Sequence, residues 1–253
     1  MTPDSLNARV EAILASRLPS PPARPAPADD AALARMIDHT LLKADATPAA
    51  VETLCAEARE HRFGAVCVNP VHVPLASRLL HGSDVRVCTV IGFPLGASAA
   101  ATKGFEASRA LLDGATELDM VIPVGLLKAG RTDDVLEHIR AVARVARSRG
   151  AVTKIILETA LLTDAEKAAA CLLAREAEAD FVKTSTGFGP AGATTADVAL
   201  LRHTVGSAMG VKASGGIRTR EDALAMIAHG ADRLGTSAGP AILAGGSQRP
   251  KGR

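Results

Sequence analysis

With 253 residues, 47% of them hydrophobic, the chain is long enough to bury a large core and matches one α/β barrel in size. A net charge of +2 and 2% aromatic residues exclude the basic surface and stacking platform of a nucleic-acid binder. No apolar run reaches the ~18 residues that a membrane helix needs, and the N-terminus has no continuous apolar stretch of a secretion signal, so a cytoplasmic protein is expected.

Leu6, Val10, Ile13, Leu14 and Leu18 share one helical face, which predicts an amphipathic helix over residues 5–18. Pro19, Pro21, Pro22, Pro25 and Pro27 then forbid regular structure, so residues 1–30 read as a helix and a semi-rigid linker. This helix has three readings: a cap on the barrel floor, a contact with a partner subunit, or a mobile arm.

From Ala34 onward the pattern becomes strand, loop, helix, repeated. Strands are predicted at 35–38, 65–68, 85–91, 117–122, 152–157, 181–183, 211–213 and, as a short last strand, 232–234. Thr47-Pro48 reads as an N-cap followed by Pro at the first helical position, opening a helix that runs to about Arg62. Ser98 is read as opening a helix to Leu112, and a long helix is expected over 132–149. Thr163-Asp164-Ala165-Glu166 has the spacing of a capping box. Eight β-then-α units without an internal linker predict a (β/α)8 barrel over residues 31–245, carrying an N-terminal helical extension. The last residues, 246–253, read as a polar tail.

In such barrels the chemistry lies at the C-terminal ends of the strands. The residues predicted there are Asp38, Asn69, Asp119, Glu158, Lys183 and Lys212. The stretch Val182-Lys183-Thr184-Ser185-Thr186-Gly187 ends an apolar strand on a lysine, and Val211-Lys212-Ala213-Ser214-Gly215-Gly216-Ile217-Arg218 repeats the plan. Burial disfavours the charged form of an amine and makes it nucleophilic. The glycine turns after each lysine, with Gly235-Thr236-Ser237 after the last strand, lead into helix N-termini that suit an anion. Two strand-end lysines beside such turns point to amine chemistry on a phosphorylated carbonyl compound. The bland alternative is a snorkelling or salt-bridged lysine; it explains one such residue better than two.

The segments Ile37-Asp38-His39-Thr40-Leu41-Leu42, Val66-Cys67-Val68-Asn69-Pro70 and Gly92-Phe93-Pro94-Leu95-Gly96 carry a further signal. With Glu117-Leu118-Asp119-Met120-Val121-Ile122 and the two lysine segments, they make the chain, from about Leu33 to Leu243, resemble bacterial-type deoxyribose-phosphate aldolase. The resemblance implies a TIM barrel and a metal-independent class I aldolase of deoxyribose and deoxynucleoside breakdown, with no cofactor. It implies reversible cleavage of 2-deoxy-D-ribose 5-phosphate to D-glyceraldehyde 3-phosphate and acetaldehyde. It makes Lys183 the Schiff-base lysine and Lys212 a second lysine that disfavours charge on the first and relays protons. Asp119 becomes the acid/base carboxylate. Thr186, Gly187, Gly215, Gly216, Arg218, Gly235 and Ser237 become the phosphate and substrate cradle. Asp38 is grouped with them, read either as a cap or as a substrate-hydroxyl contact.

Two positions depart from the family pattern. Phe188 stands where some members place a phosphate-binding lysine, and the chain has no tyrosine to close the site from its C-terminus. Among the remaining polar residues, Lys154 and Glu158 share a strand face and are expected to neutralise each other, and Cys67 is read as core packing. His39 and His72 lack the H-x-H or H-x-x-x-H spacing of a metal centre, so none is expected. The four widely spaced cysteines contain no C-x-x-C pair, and reduced thiols are expected. The expected partners are therefore a small sugar phosphate and acetaldehyde, with no nucleic acid and no membrane. Assembly as a homodimer or higher homo-oligomer is left open.

Overall fold

The computed structural model describes residues 2–16 and 26–245. Leu18, most of the proline-rich linker and the polar tail lie outside the described residues. Eight parallel strands close a barrel in sequence order: β1 Ile37–Leu41, β2 Ala65–Val68, β3 Arg86–Ile91, β4 Glu117–Val121, β5 Val152–Ile156, β6 Phe181–Lys183, β7 Gly210–Ser214 and β8 Arg233–Thr236. The first strand pairs with the last, Asp38 opposite Gly235, which completes the ring. The helices are α1 Pro3–Ala15, α2 Asp30–Arg35, α3 Pro48–His61, α4 Val73–Leu79, α5 Ala100–Leu112 and α6 Val124–Lys128. They continue as α7 Thr132–Arg147, α8 Asp164–Glu176, α9 Thr195–Val205, α10 Arg220–Ala228 and α11 Gly239–Leu243. Among the described residues no helix is long and apolar enough to cross a membrane.

Side-chain alternation along the strands divides the core in two. Val66, Val68, Leu118, Met120, Ile155, Val182, Val211 and Leu234 face the helices and belong to one large apolar cluster. Leu42, Ala65, Cys67, Cys88 and Val90 form a separate small cluster, which includes Cys67 as packing. Asp119 and Lys154, and likewise Lys183 and Lys212, are direct cross-strand neighbours in register. The charged residues of β4 to β7 therefore sit inside the ring.

Several element ends follow the cap chemistry. Thr47 accepts from the amide of Ala50, with Pro48 in the first turn, and Thr163 and Glu166 exchange both bonds of a capping box. Among the ends that differ from the sequence reading, two stand out. Residues 30–35 form α2, capped by Asp29, so the first strand begins two residues later than expected and runs on through Leu41. The Ser98 cap is absent: α5 starts at Ala100 without a side-chain cap, and the Ser98 hydroxyl is buried without a partner.

The N-terminal helix lies on the flank of the barrel, against α8. Leu6 and Val10 are buried in the main apolar cluster, and Ser16 hydrogen-bonds His203 at the end of α9 at 2.7 Å. Of the three readings given to it, the described residues favour none directly: it caps a side, not the floor, and does so within its own chain.

Candidate active site

The inside of the ring holds a charged cluster. Lys154, Lys183, Lys212 and Arg233 meet Asp38, Glu117 and Asp119, and all seven are buried. Charges taken out of water are tolerated only when paired and hydrogen-bonded, and here every carboxylate has at least two cationic neighbours. Asp38 pairs with Lys212 at 2.5 Å and accepts from the Arg233 Nε at 2.8 Å. Glu117 pairs with Lys154 at 2.5 Å and with Arg233 at 3.2 Å. Asp119 bonds three lysines. Its Oδ2 accepts from Lys183 Nζ and from Lys212 Nζ, each at 2.7 Å, and its Oδ1 accepts from Lys154 Nζ at 2.8 Å.

Burial alone would push the Asp119 carboxyl up; Lys154, Lys183 and Lys212 outweigh it and hold it well below the usual carboxylate range. Lys212 is the mirror case. Desolvation works against its charge, but Asp119 and Asp38 raise it above the ordinary lysine value. Lys154 is likewise raised, with desolvation overcome chiefly by Asp119. Lys183 differs in its surroundings: among the described residues Asp119 is its one carboxylate partner. The seven buried groups would carry four positive and three negative charges when ionised, and Arg86 adds a further cation from the surface, 3.1 Å from Glu117, so the excess charge is positive and falls when one amine gives up a proton. A single carboxylate oxygen between two amines can pass that proton from one to the other.

Lys183 also lines a cleft of about 250 Å³ at the C-terminal end of the barrel. Thr186, Gly187, Gly215, Gly216, Arg218, Gly235 and Ser237 line it as well, so the whole predicted cradle except Asp38 comes together around one lysine. Gly215 and Gly216 both have positive φ, 85° and 82°, a conformation that side chains rarely adopt. An added Cβ on Gly215 would stand 2.9 Å from the Cα of Gly192, so that turn also needs the missing side chain. The loops after β6 and β7 are tied together: Ser214 Oγ donates to the Ser185 carbonyl at 2.6 Å, and the Ala193 amide donates to the Gly215 carbonyl at 3.0 Å. Arg218 sends its backbone N–H to Asp222 at 3.0 Å, while its guanidinium makes no ion pair among the described residues. Phe188 lines the cleft and packs edge-on against Phe93, ring centroids 5.3 Å apart.

Two sequence readings need correction. Asp38 does not line the cleft; it is fully buried lower in the ring as a counter-ion of Lys212 and Arg233, because the strand continues three residues past it. Lys154 does not neutralise Glu158. It turns into the ring toward Glu117 and Asp119, whereas Glu158 bonds Thr186. Asn69 is a brace, its amide donating to the Leu42 carbonyl at 3.2 Å. His39, one of the two histidines weighed as a ligand, points to Glu57 at 2.7 Å.

The sequence reading missed Lys154, Glu117 and Arg233 as members of the cluster, and Lys43 as a further cation on the cleft beside Lys183 and Arg218. The signal was present as period-two alternation, Glu117-Leu118-Asp119 and Thr153-Lys154-Ile155, which sets charged residues at alternate positions of otherwise apolar strands. Cys67, Cys88 and Asp119 could each offer a ligand atom to a cation. Lys154 Nζ already fills that role, 3.4 Å from the Cys88 sulfur and 2.8 Å from Asp119.

Residues 32–245 match the family model described as DeoC/LacD family aldolase. Deoxyribose-phosphate aldolase of Carboxydothermus hydrogenoformans is 59% identical over 215 residues, covering 84% of this chain and 94% of the relative. The enzyme of the same name from a Geobacillus species is 57% identical, covering 84% and 95%. Among solved structures, one from Coccidioides immitis, provisionally assigned as a deoxyribose-phosphate aldolase, superposes with a TM-score of 0.90 at 42% identity, covering 96% and 97%. The tetrameric deoxyribose phosphate aldolase of Aeropyrum pernix gives 0.81 at 35% identity, covering 96% and 97%.

Proposed function

The chain belongs to the DeoC/LacD family of aldolases, and from that membership we infer that it reversibly cleaves 2-deoxy-D-ribose 5-phosphate to D-glyceraldehyde 3-phosphate and acetaldehyde. The observation that carries the mechanism is Asp119 Oδ2, shared at 2.7 Å by the two amines below the glycine-lined cleft. Neutral Lys183 Nζ attacks the C1 aldehyde of the open sugar, and loss of water from the carbinolamine leaves an iminium. A base takes the proton of the C3 hydroxyl, the C2–C3 bond breaks, and its electron pair moves to C2 as the iminium becomes an enamine. Glyceraldehyde 3-phosphate leaves. Protonation at C2 restores an iminium, and water releases acetaldehyde and the free amine.

In this reading Lys212, held charged by two carboxylates, is the proton donor of the relay. Asp119 accepts and passes protons without leaving its anionic resting state for long. Following acetaldehyde release from deoxyribose 5-phosphate beside cleavage of a phosphorylated ketose tests the substrate class. A protein that cleaves only the ketose refutes this reading in favour of a transaldolase-like enzyme. We place the reaction in the cytoplasm, in keeping with four buried, unpaired cysteines.

The phosphate is assigned to the amides of Gly187, Gly215, Gly216 and Ser237 with the Arg218 guanidinium. A hydrogen bond to a charged group is worth about 1.5–3 kcal/mol, so Arg218→Ala lowers kcat/KM for deoxyribose 5-phosphate by roughly ten- to a hundredfold. Unphosphorylated 2-deoxyribose loses almost nothing. Kinetics on both sugars check this, and an equal fall for the two would make Arg218 scaffolding. Lys43, on the same cleft, is expected to cushion the loss.

Self-association as a homodimer or higher homo-oligomer also belongs to this proposal. Leu95, Phe105 and Leu112 are more than half exposed, and Leu95 and Phe105 border one largely apolar hollow with Phe93 and Pro94. Light scattering of the wild type and of Leu95→Glu/Phe105→Glu checks it: the expected outcome is an assembly that the double substitution reduces to monomers. A monomeric wild type at micromolar concentration refutes it.

A further inference from the structure

Glu158 is held in a conformation that nothing in the charged cluster requires. Beyond the end of β5, the Leu157 amide donates to the Lys183 carbonyl and the Thr159 amide to the Thr184 carbonyl, both at 2.9 Å. Amides two residues apart thus reach carbonyls one residue apart, and Glu158 is the extra residue of a bulge. Its backbone is left-handed, φ 56° and ψ 63°, which a residue with a side chain rarely adopts. Bulges of this kind re-aim a side chain next to a site, and strain of this kind persists where function holds it.

The re-aimed carboxyl group lies under the loop leaving β6 and is 4% exposed. Its Oε2 accepts from the Thr186 amide at 3.3 Å and from the Thr186 hydroxyl. Thr186 Oγ1 in turn accepts from the Phe188 amide at 3.0 Å. Gly189 presses on the other side, where an added Cβ would stand 2.8 Å from the carboxyl carbon. No cation pairs with Glu158 among the described residues, and its Oε1 has no hydrogen-bond partner. The bulge therefore holds the end of β6 and the loop beyond it at two places. The amides of the residues flanking Glu158 bind the backbone at Lys183 and Thr184, and its side chain binds Thr186, at the wall of the cleft.

We propose that Glu158 is a positioning residue that sets the distance between the imine on Lys183 and the phosphate seat at Thr186-Gly187. This makes it a determinant of specificity for a phosphorylated chain of the right length. The proposal rests on the aldolase reading for its reaction, but not for its geometry: the seat should bind phosphate whether or not a bond is cleaved.

The test compares the wild type with Glu158→Gly, which suits the left-handed backbone and lacks the carboxyl group, and with Glu158→Gln, which keeps an acceptor oxygen. Binding of inorganic phosphate, read by calorimetry, is expected to weaken about tenfold or more in Glu158→Gly and to stay within about threefold in Glu158→Gln. For deoxyribose 5-phosphate, KM rises by a similar factor in Glu158→Gly while kcat changes little. Unphosphorylated 2-deoxyribose is handled as before, and acetaldehyde with borohydride still labels Lys183. Unchanged phosphate affinity in folded Glu158→Gly overturns the proposal. So does an equal fall for both sugars, or a Glu158→Gln variant as impaired as Glu158→Gly, which would assign the effect to charge. If Glu158→Gly does not fold, the Glu158→Gln affinity alone decides, with a tenfold loss overturning the positioning role. A wild type that binds phosphate in this Glu158-dependent way yet cleaves no deoxyribose 5-phosphate would count against the aldolase reading and leave the seat intact.

Discussion

Lys183→Ala is expected to fold and to be inactive. Removing this amine deletes the nucleophile of every later step, so kcat falls by four or more orders of magnitude, about 5.5 kcal/mol or more of transition-state stabilisation. The fold should survive because Asp119 keeps Lys154 and Lys212 as partners, and the remaining ring holds three cations against three carboxylates. Borohydride reduction in the presence of acetaldehyde should leave an ethyl group on Lys183 of the wild type, found by peptide mass spectrometry, and nothing on the variant. Lys154 is too enclosed to replace it, since it is fully buried and bonded to Glu117, Asp119 and Cys88. Labelling of another lysine at the wild-type rate in Lys183→Ala would defeat the assignment.

Lys212→Leu is expected to lose activity by roughly a hundred- to ten-thousandfold, the usual contribution of one general acid–base group. Its effect on pH dependence is the sharper readout. With Lys212 present, the buried cations outnumber the buried carboxylates by four to three; without Lys212 the two are equal in number, and the positive neighbour that shares Asp119 with Lys183 is gone. The amine then holds its proton more firmly, and the acidic limb of the kcat/KM profile moves to higher pH. Removing a buried partner also leaves Asp38 and Asp119 under-compensated, at a cost of about 3–5 kcal/mol. A thermal melt must accompany the kinetics. A stable variant with an unmoved limb would mean that burial, and not the charge of Lys212, governs the nucleophile.

Both predictions depend on a cluster that the sequence exposes only in part. Period-two and period-3.6 patterns, caps such as Thr47 and Thr163, and the spacing of the apolar runs carry the barrel, because each is a local consequence of backbone geometry. Lys183, Lys212 and the glycine turns were legible for the same reason. A lysine next to Thr-Ser-Thr-Gly or Ala-Ser-Gly-Gly breaks an apolar strand within a few residues, and the small residues around it admit few other uses.

What the sequence could not assign were the partners of each buried charge. Lys154 and Glu158 are four residues apart in one stretch and look like a pair, yet a bulge at Glu158 turns its carboxyl toward Thr186 while Lys154 faces the ring. Asp38 seemed to end a strand; one short helix before it moved the strand on and left the carboxylate deep among Lys212 and Arg233. The distance between Asp119 and Lys212, 93 positions apart in the chain, is 2.7 Å only because eight strands close into a ring. Residue types and local periodicity are properties of neighbours along the backbone and can be read from it. Which opposite charges share one dry interior is decided by strand register and closure, since electrostatic pairing acts through space and takes no account of sequence separation.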